Sequence, residues 1–177
     1  EGGGQIVQRI WAPLNTNAFA PFLAQIRRDA DAVLALFTGR LALQFLKQYQ
    51  EAGLKDKLPL LGGGTLTDET VLPQMGDEAV GVITALHYSQ ALDNPTNVKF
   101  NKAFEASAGK IASYYSEATY TNARWIVEAN KAAGGKVEDR DAMLAALRKV
   151  DLKDTARGPL KVDDFGNPIQ NIYIRKV

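Results

Sequence analysis

The sequence predicts an α/β fold: a parallel βα sheet followed by helices and closed by a C-terminal β-hairpin. Three observations lead there. Short apolar or β-rich runs alternate with helical spacing through the first half. Three helical patterns with no convincing strand between them fill residues 97–150. Residues 158–177 then return to strand alternation around the turn residues DFGNP.

The elements follow in order. Residues 5–11 (QIVQRIW) are a β-rich run, and after Pro13 the spacing of Phe19, Phe22, Leu23 and Ile26 predicts a helix capped by Asn17. Residues 32–37 (AVLALF) are continuously apolar, as in a strand covered on both faces. In LALQFLKQYQEAGL, Leu41, Phe45, Leu46 and Tyr49 share one helical side and Gly53 ends the helix. LPLL forms the next strand and runs into three glycines. Asp68 then caps a short helix through Met75, and residues 79–86 (AVGVITAL) are a fourth strand. Strands alternating with such helices imply parallel pairing through right-handed crossovers. Beyond residue 97 the helical sets are Phe100, Phe104 and Ile111; Ala123, Ile126 and Val127; and Met143, Leu144, Leu147 and Val150, with Gly134 and Gly135 dividing the last two. The end reads strand, turn at residues 164–168, strand, with Ile172 and Ile174 alternating.

Composition excludes several functions. The 177 residues carry 21 Lys and Arg against 20 Asp and Glu, so no broad cationic field exists to hold nucleic acid. With no cysteine there is no disulfide, thiolate nucleophile or Cys-based metal site. No run reaches the roughly 18 apolar residues of a membrane-spanning helix. The start EGGGQIVQ lacks a signal-peptide pattern, so the expectation is that a leader was removed or that Glu1 is not the natural start. One histidine cannot build a catalytic triad or a multi-histidine metal site, and no G-x-S-x-G elbow occurs. No catalytic residue, metal or cofactor is predicted.

The glycines of LLGGGTLTDE raise two readings. A P-loop needs Lys and Ser/Thr where this segment has Asp and Glu, and a dinucleotide fingerprint needs glycine where Thr67 stands. What remains is a βα turn requiring positive φ, or a backbone that a solute approaches at the carboxyl end of a strand. Trp11, Phe37 and Tyr88 each lie near a predicted strand end, where a ring either lines a pocket or packs the core. Asp163 and Asp164 read as turn chemistry, and Tyr114, Tyr115 and Tyr120 as helix-surface packing.

The order of segments resembles a known family. The run APLNTNAFAPFLAQIRRDADAVLALFTGRLALQFLKQYQEAGL is similar to the middle of the type I periplasmic solute-binding proteins, the branched-chain amino-acid and aromatic-acid receptors of ABC importers. Phe100, Phe104, Gly109 and Tyr120 are spaced like that family's F…F…G…YDA stretch, and GPLKVDDFGNPIQNIYIRKV resembles its closing hairpin. The resemblance implies two Rossmann-like lobes joined by three crossovers, with a solute between them. This chain would then be the C-terminal half. Residues 1–88 would form an incomplete ligand-binding second lobe, residues 89–150 the helices that normally cover the other lobe, and residues 151–177 the closing hairpin and crossover. It further implies a missing N-terminal lobe, and hence a fragment that either exposes a large apolar patch or pairs as an intertwined homodimer.

The implied function is capture rather than catalysis: a small solute is delivered to an ABC permease in the membrane, from a periplasmic location. The family position that carries the carboxylate for a ligand's ammonium falls on Gly64. A carboxylate or aromatic solute is therefore expected over an ordinary α-amino acid. The resemblance assigns the solute wall to Phe37, Thr38 and Gly39 and to Gly63, Gly64 and Thr65, with His87 and Tyr88 after the fourth strand. Two alternatives stay open: a doubly wound nucleotide-binding enzyme using the glycine loop, and a ligand-sensing receptor module of the same fold.

Overall fold

The computed structural model describes residues 2–177. The chain divides into two units, one running up to Ala85 and including Ile174–Val177, the other comprising Leu86–Tyr173.

In the first unit, β1 (Val33–Ala35), β2 (Leu60–Gly63), β3 (Ile83–Leu86) and β7 (Tyr173–Lys176) form one sheet in the order β1-β2-β3-β7. β1 pairs with β2, and β2 with β3, in parallel, as the alternation of strands and helices requires. Helix α2 (Gly39–Glu51) begins directly after β1. Thr38 is extended at its N-cap and Gly39 has φ +57°, a left-handed conformation that glycine takes without steric cost. Ala42, Phe45, Leu46 and Tyr49 recur at helical spacing and are all buried. They pack on Ala35 and Leu60 from the sheet and on Phe19 and Leu23 from the short helix α1 (Ala20–Leu23). Full burial of each large side chain contributes about 1.5–3 kcal/mol. The Tyr49 hydroxyl donates to Leu58 O at 2.9 Å, so the one polar atom this helix buries is satisfied.

Four local expectations are corrected. Residues 5–11 form no strand: they have no ladder partner, and β propensity alone cannot hold an extended segment. The Gln8 side chain instead pins this segment to Gln25 O and Arg27 N, leaving Trp11 84% exposed and out of the core. Helix α1 is only four residues and starts from Phe19; Asn17 is not its cap but accepts from Arg40 Nη1 at 2.7 Å. The helix expected from Asp68 through Met75 is replaced by one 3-10 turn, Leu72–Gln74, where Pro73 withholds an N–H; a further 3-10 turn, Gly64–Thr67, precedes Asp68. Strand β1 is covered on one face only. Ala35, Gly62 and Thr84 lie in register toward the core, while Leu34, Leu61 and Ile83 form the opposite row, with Leu34 67% and Leu36 72% exposed.

The second unit contains α3 (Pro95–Ala108), α4 (Tyr114–Ala132) and α5 (Arg140–Lys149), the three helices expected from spacing. Each has a readable start: Asn94 accepts from Asn97 N, Ser113 and Ser116 form a reciprocal capping box, and Asp139 accepts from Ala142 N. An antiparallel sheet of order β4-β5-β6 completes the unit, from Asp151–Thr155, Gly158–Val162 and Pro168–Gln170. Strand β4 was not foreseen, because DLKDT shows little apolar alternation. The closing hairpin is β5 and β6; β7 leaves it and joins the other sheet.

This unit contains a buried ion pair. Arg157 Nε donates to Glu117 Oε2 at 2.7 Å, Thr121 Oγ1 to Glu117 Oε1 at 2.5 Å, and Arg157 Nη1 to Gln170 Oε1 at 3.1 Å. Tyr173 Oη donates to Arg157 O at 2.7 Å. No helix among the described residues is long and apolar enough to cross a membrane.

Candidate functional site

Parallel pairing puts the carboxyl ends of β1 and β2 on the same edge of the sheet, which is where open α/β sheets receive ligands. The residues leaving those ends are Phe37, Thr38 and Gly39 after β1, and Gly63, Gly64 and Thr65 at and beyond the end of β2. They meet directly: Thr65 Oγ1 donates to Phe37 O at 2.9 Å. Phe37 is half-buried and rests on the core, 5.1 Å from the Phe19 ring and 4.7 Å from the Phe45 ring. Of the two roles left open for it, these contacts show the core-packing one. Thr38 is exposed, and Gly39 and Thr65 are half-buried.

The three glycines are not a positive-φ turn, since none of Gly62, Gly63 and Gly64 is left-handed. Gly63 is extended at φ −66°, ψ 155°. The constraint is proximity. A Cβ on Gly62 would lie 2.5 Å from Leu66 Cδ2 and 3.2 Å from Ala35 O, and one on Gly63 would lie 3.2 Å from Leu36 Cδ2. Glycine lets the 3-10 turn fold back over its own strand, so that Leu66 drops into the core, with Gly63 half-buried and Gly64 buried.

Sequence reasoning missed the group that holds this loop. Arg175 on β7 donates to Gly64 O at 3.3 Å, to Thr67 O at 3.1 Å and to Glu69 Oε1 at 2.9 Å. Both side chains of the Arg175–Glu69 ion pair are almost entirely buried. The available signal was Arg175 alternating with Ile174 in a strand that had been read only by its isoleucines. Beside it, Thr67 Oγ1 and Thr84 Oγ1 share a buried hydrogen bond, and Asp68 Oδ1 accepts from Thr70 N and Oγ1. The rim itself carries no charged side chain among residues 37–39 and 63–65. No group of His, Asp and Glu among the described residues is arranged to hold a metal.

His87 and Tyr88 belong to the second unit. Tyr88 is fully buried, and its hydroxyl donates to Asn101 Oδ1 at 3.0 Å. The His87 ring meets Tyr114 edge-on at 5.9 Å, with Nε2 buried and without a hydrogen-bond partner. Burial, and then the neighbouring Arg157 charge, pushes its pKa down to about 4. A surface cavity of about 370 Å³ in this unit, lined by Arg124, Glu128, Lys149 and Asp154 among others, includes none of the residues assigned to the solute wall from the sequence.

Known proteins share this architecture. Leu/Ile/Val-binding protein homolog 6 of Brucella melitensis is 35% identical over 183 residues, spanning 100% of this chain and 46% of its own length. Among solved structures, an R. palustris ABC-transporter solute-binding protein in complex with benzoate is 34% identical with a TM-score of 0.89, covering 98% of this chain and 47% of that one. A second R. palustris solute-binding protein, in complex with 4-hydroxybenzoate, is 30% identical with a TM-score of 0.90 over 99% of this chain and 49% of that one. The chain therefore spans about half the length of the relatives it matches. The family model described as "Periplasmic binding protein" matches residues 1–177, so the chain belongs to the periplasmic binding protein family.

Proposed function

We propose that this chain supplies one wall of a solute site in the extracytoplasmic binding component of an ABC importer, which captures a small aromatic carboxylate and hands it to a membrane permease. The observation that carries the reading is the paired rim, Phe37, Thr38 and Gly39 tied through Thr65 to Gly63 and Gly64, at the carboxyl edge of a parallel sheet. A half-buried phenyl ring beside the extended, half-buried Gly63 offers an aromatic solute a stacking surface close to backbone. The absence of an acid from residues 37–39 and 63–65 disfavours an ammonium there, because a desolvated cation needs an anion or several strong acceptors. The relatives in complex with benzoate and 4-hydroxybenzoate support this solute class. The opposite wall is assigned to sequence equivalent to the half of the relatives that this chain does not match. Uptake then proceeds by closure of two lobes on the solute, a hinge motion read by the permease.

Thermal unfolding with benzoate, 4-hydroxybenzoate and leucine tests the reading. One wall alone should bind with a Kd on the order of 1 mM, so ~20 mM aromatic acid should stabilise the chain by about 1.8 kcal/mol. Equal or greater stabilisation by leucine, or none by either acid, would contradict it.

A further inference from the structure

We infer that Arg175 is a positioning residue for the glycine rim, setting its backbone from the far end of the sequence; its bearing on solute binding rests on the reading proposed above. The 3-10 turn Gly64–Thr67 is only four residues long, so its carbonyls have few partners of their own. Arg175 takes two of them, Gly64 O and Thr67 O, and with the same guanidinium pairs with Glu69, just beyond the turn. A planar fork suits this task. Its donors diverge in fixed directions, so three acceptors along one loop are held in a defined arrangement, which an ammonium on a flexible stem cannot reproduce.

The loop has a second, independent restraint, Thr65 Oγ1 to Phe37 O, made by the residue next to Gly64 and reaching the segment after β1. The Gly64 carbonyl is thus the point where the β1 tie and the β7 clamp meet. Because β7 comes from residues 173–176, the rim cannot take this form until the chain end has joined the sheet beside β3; Gly81 N donates to Val177 O at 2.9 Å and Val177 N to Val82 O at 3.1 Å. Glu69 explains why the charge is tolerated at low exposure: it neutralises the guanidinium, while the two carbonyls accept from two more of its donors.

Amide hydrogen exchange on the 177-residue chain tests the positioning role without any solute. In Arg175→Lys and Arg175→Gln, amides of residues 63–70 should exchange at least about tenfold faster, while those of α2, at Leu46 and Tyr49, change less than about twofold. Glu69→Gln, which keeps an acceptor, should have a smaller effect. If the Lys variant folds and residues 63–70 exchange as in the parent, the inference is overturned; the same holds if α2 loosens equally, because Arg175 would then be a general stabiliser. A parallel titration with 4-hydroxybenzoate separates the two claims. Faster rim exchange together with weaker binding supports both. Faster exchange in a chain whose parent shows no rim response to the acid supports the positioning role and removes the solute reading.

Discussion

The two units solve the same problem with different chemistry. The first buries rings and aliphatics, with Phe19, Phe45, Leu46 and Tyr49 under one face of a parallel sheet, and keeps its polar contacts at the strand ends. The second has small, separate apolar clusters and contains a buried Glu117–Arg157 ion pair, braced by Thr121, Gln170 and Thr155. An apolar core tolerates loss of a contact in proportion to the volume removed. A buried charge does not, because its partner is left desolvated and uncompensated. Each unit therefore has one buried pair that truncation would strand, Arg175–Glu69 at the strand-end loop of the first and Glu117–Arg157 in the second, but only the first also buries a large aromatic cluster.

Substitutions should expose that contrast, beginning with the largest effect. Glu117→Leu strands the Arg157 guanidinium and should cost about 4 kcal/mol in urea unfolding, whereas the double change Glu117→Leu with Arg157→Met should recover most of it. A double change as damaging as the single one would show that the pair is not the organising feature. In the first unit, Phe45→Ala removes a ring in contact with Phe19, Phe37 and Tyr49 and should cost about 3 kcal/mol, read by the same unfolding curve. Gly62→Ala should cost about 2 kcal/mol, because the new methyl meets Leu66 and the Ala35 carbonyl; combining it with Leu66→Ala should relieve part of the steric cost.

The last effect concerns pH. His87 titrates near 6.5 in the unfolded chain and at about 4 when folded, so above pH 6.5 both states are neutral and its ionisation has no effect. As pH falls from 6.5 toward 4 the unfolded chain takes up the proton first, and stability is progressively lost until the folded pKa is passed. Urea unfolding at pH 7, 5.5 and 4 should show this decline, and His87→Gln should flatten that component of it. An identical decline in His87→Gln would place the acid sensitivity elsewhere.

Much of this was legible in the sequence because local and global signals agreed. Helix α2 shows its buried side and its end at Gly53 in order, and apolar spacing marks the later helices, whose Asn94, Ser113 and Asp139 caps the structure adds. Residues 5–11 were misread because strand propensity says nothing about whether a neighbour is present to complete the ladder. The second face of β1 was misread for a related reason: AVLALF predicts double coverage, and Leu34 and Leu36 remain uncovered among the described residues. At the rim, the family resemblance pointed to Phe37, Gly64 and Thr65, and the Thr65–Phe37 hydrogen bond brings the two segments together. The role of the glycines was hidden, since proximity to Leu66 is a tertiary fact. Arg175 was invisible for the same reason: it lies 106 residues beyond Glu69.

The central claim is that the carboxyl edge of β1 and β2 receives a small aromatic acid. Titrating the ¹⁵N-labelled chain with 4-hydroxybenzoate into the millimolar range tests it most directly. Amide shifts at Phe37, Thr38, Gly39, Gly63, Gly64 and Thr65 should move together along one saturating curve. Shifts confined to residues 86–173, or a rim that stays silent while the acid saturates another site, would contradict the claim.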